Sequence, residues 1–112
     1  MGCHRLWLVA GVGAALLAQD ALADGPYQIT FANHAWAQVQ LQITTGNFQD
    51  CSQNHSEGPY ILPLNVGHVL STSATVVCYR RTADPTNPNS GWGSWNSISP
   101  NDQNTPMTIE LN

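Results

Sequence analysis

From position 27 onward, apolar residues alternate with polar ones instead of recurring every three or four. Tyr27, Ile29 and Phe31 interleave with Gln28, Thr30 and Ala32; Val39, Leu41 and Ile43 interleave with Gln38, Gln40, Gln42 and Thr44. Successive side chains of a strand point to opposite faces, so period two with one polar face predicts half-buried antiparallel strands. Asn33-His34-Ala35-Trp36, between these runs, has the length of a hairpin connection. A polar loop, 46–58, holds Cys51; strands at 60–64 and 68–71 follow, parted by the turn signal Asn65-Val66-Gly67. Pro59 and Pro63 mark 60–64 as an edge strand or a short extended piece, because proline cannot donate to a ladder.

Residues 74–81 (ATVVCYRR) carry apolar groups on both faces, which predicts a central strand. One face shows Val76, Cys78 and Arg80, the other Val77, Tyr79 and Arg81, and the pattern does not decide which is the core. Loop 82–93, a short strand at 95–98, a turn segment at 100–106 and an alternating run at 107–111 complete the chain. No stretch of ten or more residues in this region has helical periodicity. Six or seven short strands parted by turn signals predict an all-β fold: a small antiparallel β-sandwich, immunoglobulin-like or similar, with a small barrel as the alternative.

The first 23 residues follow another pattern. Arg5 lies ahead of an uncharged, largely apolar run, 6–18, and Ala21 and Ala23 occupy the −3 and −1 positions of a cleavage site. That layout predicts a secretory signal peptide, 1–23, and a single disulfide-tied β-domain, 24–112. The run is shorter than the roughly 20 residues needed to span a bilayer, so no membrane insertion is expected after cleavage. The expected location is secreted or periplasmic. Removing the leader takes Cys3 with it and leaves Cys51 and Cys78, which in an oxidising compartment read as one disulfide. Closing that loop would contribute about 3.5 kcal/mol on the chain-entropy account.

Residues 24–112 contain no lysine, and two arginines face six acids, which leaves a net charge of −4 with histidine neutral. Affinity for phosphate comes from clustered Lys and Arg, so nucleic acid and anionic membranes are excluded as partners. Residues 79–95 concentrate the unusual chemistry: Arg80 and Arg81, Trp92 and Trp95, and the turn-rich DPTNPNSG. Gly91 and Gly93 leave Trp92 little neighbouring cover, and a loop tryptophan beside amides, a carboxylate and arginine suits glycan recognition or a protein hot spot. The opposing reading folds Trp92 and Trp95 back to plug one end of the sandwich. Arg80 and Arg81 alternate faces, and the inward one is expected to pair with an acid such as Asp84 or Asp50.

His34, His55 and His68 sit in separate turns or strand starts, with no HxH or HxxxH spacing to gather a metal. Asp84, Asn87 and Asn89 are an oxygen-rich run that turn chemistry explains as well as calcium does. Asn54-His55-Ser56 matches a glycosylation acceptor. No GxSxG or HExxH motif points to catalysis, so neither an enzymatic activity nor a cofactor is expected. The expectation is a binding module that recognises a glycan or cell-surface ligand through end loops. Tyr79, Arg81, Asp84, Asn87, Asn89, Trp92 and Trp95 are the candidate contacts. The alternative is a protein–protein interaction module, such as an inhibitor of a secreted enzyme or an envelope-assembly component.

Overall fold

The computed structural model describes Leu17–Gln19 and residues 25–112; the rest of the expected signal peptide, with its cleavage site, lies outside the described residues. The strands in chain order are β1 (Leu17–Gln19), β2 (Tyr27–Asn33), β3 (Gln38–Gly46), β4 (His55–Pro63), β5 (Val66–Thr72), β6 (Val76–Arg81), β7 (Asn96–Ile98) and β8 (Met107–Glu110). One sheet has the order β1-β5-β2-β8 and the other β4-β3-β6-β7. The seven strands from β2 onward form the expected β-sandwich. β1 pairs in parallel with Val66–His68 on the outer edge of β5. The antiparallel pattern has one exception inside the sandwich, where β8 runs parallel to β2, Ile29 opposite Met107 and Phe31 opposite Ile109.

The connection after β2 is not the expected hairpin. β2 pairs with β5 and β8, whereas β3 pairs with β4 and β6, so residues 34–37 carry the chain from one sheet to the other. The reason lies in Asn33, which is fully buried. Its Nδ2 donates to Trp36 O and to Leu62 O, both at 2.9 Å, while its Oδ1 accepts from Trp36 N at 3.0 Å and Ala35 N at 3.3 Å. The second crossing, at Leu64 and Asn65, is tied to the first: Asn65 N donates to Asn33 O at 2.7 Å and Leu64 N to Ala37 O at 3.1 Å. Asn65 supplies the left-handed backbone (φ 64°) that the tight corner needs. The loop after β3 is also shorter than expected, because β3 runs to Gly46 and β4 begins at His55. Asn54 closes it, its amide bonding both the N–H and the C=O of Phe48. A Cβ on Gly46 would strike the Asn54 side chain, so the loop depends on glycine there.

The core between the sheets holds Ile29 and Phe31 of β2, Val39, Leu41 and Ile43 of β3, Leu62, Leu70, Val77 and Leu111. Each large apolar side chain so buried contributes about 1.5–3 kcal/mol. The inner face of β6 is therefore the Val77/Tyr79 face, with the Tyr79 ring 5.2 Å from that of Phe31. Val76 and Cys78 face outward into a second, smaller cluster with Cys51 and Trp95. The Cys51–Cys78 disulfide (Cα–Cα 5.8 Å) ties the short 3₁₀ turn Cys51–Gln53 onto the outer face of one sheet; it does not bridge the two. Among the described residues, no helix is long and apolar enough to cross a membrane.

Candidate functional site

β6 continues beyond Arg81 into a hairpin arm. Thr82 pairs with Trp92, Gly93 N donates to Arg81 O at 2.8 Å, and Ala83 N donates to Gly91 O at 2.9 Å. The arm is fastened to β3, because Thr82 N donates to Gln40 O and Thr82 Oγ1 accepts from Gln40 N. Below it, Tyr79 pairs with Asn96. Three steps on the β6 side thus face four on the other, and the extra residue is a bulge. Trp92 and Trp95, which a spacing of three would send to opposite faces, consequently share one. The Arg80 guanidinium lies 5.1 Å from the Trp92 ring centre and 4.3 Å from that of Trp95, and its Nη2 donates to Gln42 Oε1 at 3.2 Å. Gln42 in turn donates to Ser56 Oγ.

The seven sequence candidates do not converge. Asp84 and Asn87 build the arm's tip: Asp84 Oδ1 accepts from Thr86 N and Oγ1, and Asn87 Oδ1 accepts from Asn89 N. The Thr86 bonds also hold the Asp84 carboxyl below its ordinary pKa. Asn89 is exposed at that tip. Trp95 packs on Arg80 and the disulfide cluster. Tyr79 and Arg81 line a different cavity, of about 290 Å³, with Glu110, Leu111 and Asn112. Burial raises the Tyr79 hydroxyl pKa there. Arg81 is not paired with Asp84 or Asp50 as expected: Nε and Nη2 donate to Asn112 O, and Nη1 donates to Thr82 O and Ala83 O. His34 Nδ1 and Glu110 Oε1 are hydrogen-bonded at 2.8 Å.

Trp92 alone of the seven borders a cleft on the outer face of the β4-β3-β6-β7 sheet. It lines a cavity of about 100 Å³ with Gln40, Thr82, Pro88 and Gly91. Gln40, Thr82 and Pro88 also line an adjoining cavity of about 440 Å³, together with Trp36, Gln38, Pro85 and Thr86. The two form one trough between the 34–37 crossing and the arm. Gln38 and Gln40 form its floor, since Val39 and Leu41 point into the core. Across the β3–β4 ladder, Gln40 stands opposite Ile61 and Gln38 opposite Pro63, which extends the floor sideways with apolar surface. Gly91, at φ +82° with open space around it, lets the arm turn back so that Trp92 reaches the trough.

Trp36 was missed as a candidate, although Ala35 and Ala37 flank it much as glycines flank Trp92. Its indole N–H is buried and has no partner among the described residues, and the Asn33 bonds hold its backbone in place. No hydrogen bond occupies the side-chain amides of Gln38 and Gln40 among the described residues, and no ionisable side chain lines either cavity. The trough thus offers aromatic rings and free amides, a set suited to stacking on and hydrogen bonding a polar neutral molecule. Elsewhere, His68 stacks on Tyr60 at 3.9 Å, and burial lowers its pKa. Among the described residues, no three His, Cys, Asp or Glu side chains gather as a metal site would require. Comparison with known protein families, curated proteins and solved structures found no match to this chain.

Proposed function

We propose that this protein is a small secreted or periplasmic binding module that takes a glycan in the Trp36–Trp92 trough, without catalysis. One observation carries the reading: tryptophan side chains and two uncommitted glutamine amides line adjoining cavities that no ionisable side chain borders. Free side-chain amides in a cleft exchange hydrogen bonds with ligand hydroxyls, each worth about 0.5–1.5 kcal/mol net. Sugars present such hydroxyls beside C–H faces that stack on indole rings. Export is supported by the leader pattern and is compatible with the Cys51–Cys78 disulfide.

Titration of the intrinsic tryptophan fluorescence with a panel of soluble glycans tests the reading. At least one glycan should shift the emission saturably. Trp36→Phe, which exchanges the indole for a smaller ring, should weaken that glycan by roughly 2- to 10-fold, the equivalent of a reduced aromatic contact. A panel without any response refutes the proposal. A second reading, a protein ligand, is favoured by the exposed Ile61 (55 %) and Leu64 (47 %) beside the trough. It predicts a stoichiometric protein partner whose capture is lost in Ile61→Asp and retained in Trp36→Phe.

A further inference from the structure

We infer that the ligand of this trough is an uncharged saccharide, and that acidic glycans are turned away; the inference rests on the glycan reading above. Every side chain that lines the two joined cavities is neutral, with Trp36, Gln38, Gln40, Thr82, Thr86 and Trp92 supplying the polar groups. The only arginines among the described residues stand behind the lining without joining it, with Arg81 6.0 Å from the Trp36 ring centre and Arg80 5.1 Å from that of Trp92. Arg81 spends its fork on the oxygens of Asn112, Thr82 and Ala83. Arg80 lies between the rings of Trp92 and Trp95 and is bonded to Gln42, and its Nε is buried. A uronate, sulfate or sialate group entering the trough would lose hydration without a charged side chain in the lining to pair with. It would also approach Asp84, whose carboxylate is exposed at the arm's tip and held in its charged form by Thr86. The net charge of −4 adds a repulsive field to any polyanion. A neutral sugar meets none of these penalties. Its hydroxyls can exchange bonds with the Gln38 and Gln40 amides, which both donate and accept.

The experiment compares neutral oligosaccharides (gluco-, xylo-, manno- and chito-oligomers) with acidic ones of matched length (oligogalacturonate and hyaluronate) by fluorescence titration. Each is run at about 20 mM and about 500 mM NaCl, which shortens the screening length from roughly 20 Å to roughly 4 Å. A neutral oligomer should bind with an affinity that changes less than about twofold with salt, and each acidic one at least about tenfold more weakly. Acidic oligomers that bind as tightly as neutral ones, or an affinity that falls about tenfold at high salt, overturn the inference and leave the trough as a glycan site. Failure of every oligomer to bind overturns both.

Discussion

Replacing Asn33 with aspartate exchanges one buried NH₂ group for an oxygen and leaves the rest of the side chain in place. In the native corner that NH₂ faces two carbonyl oxygens, of Trp36 and Leu62, each at 2.9 Å. An ionised carboxylate there would lose two donated bonds, set negative charge against two acceptors, and do so at a site with 0 % exposure. Two neutral hydrogen bonds represent about 2 kcal/mol, and the desolvation of an unpaired charge adds several more, so Asn33→Asp should cost at least about 4 kcal/mol at pH 7. That is much of the 5–15 kcal/mol typical of a folded domain. Because burial raises the carboxyl pKa in the folded state above its unfolded value, the variant's stability is fullest below about pH 4 and is lost as pH rises through the folded pKa. Asn33→Ala, which removes all four side-chain bonds without adding charge, should cost about 3 kcal/mol and show no such added slope. Urea unfolding of both variants between pH 5 and 8, roughly the range in which that raised pKa would fall, measures the difference. An Asn33→Asp protein within about 1 kcal/mol of wild type at pH 7, or one whose deficit does not grow with pH, would refute the assignment of Asn33 as the pin of both sheet crossings.

The paired substitution Cys51→Ala and Cys78→Ala should lower stability by about 3–4 kcal/mol, since the bridge closes a loop with a sequence separation of 27. An unchanged urea midpoint would mean that the bridge does not constrain the unfolded chain. His68 has its folded pKa lowered by burial, partly opposed by Glu57, so its contribution to stability is present above its unfolded value of about 6.5 and is lost as pH falls below that value. His68→Gln should flatten the acid limb of a stability–pH profile below about pH 6.5; a slope equal to that of wild type would assign the limb to other groups.

Strand content was legible because it is local. The alternation in 27–31 and 38–44 follows from the pleat alone, and both runs are strands with Ile29, Phe31, Val39, Leu41 and Ile43 turned inward. The hairpin expected after β2 was not local. Four residues suit either a hairpin or a crossing between sheets, and the choice depends on the Asn33 bonds to Leu62, 29 positions away. The candidate site divided for a similar reason. Proximity along the chain grouped residues 79–95, but alternation sent Tyr79 and Arg81 to one side of the sheet and Arg80 to the other, and the bulge before β7 brought both tryptophans to Arg80. Trp36 joined Trp92 at one trough only because the crossing and the arm meet over β3.

By itself the sequence determined the strand period, the cysteine pair and the scarcity of cations, since each follows from residue identity and near-neighbour geometry. Only the tertiary structure decided which face of β6 is core, where the chain changes sheet and which aromatic rings share a surface. Those outcomes depend on hydrogen bonds and packing between residues tens of positions apart, whose partners no local pattern specifies.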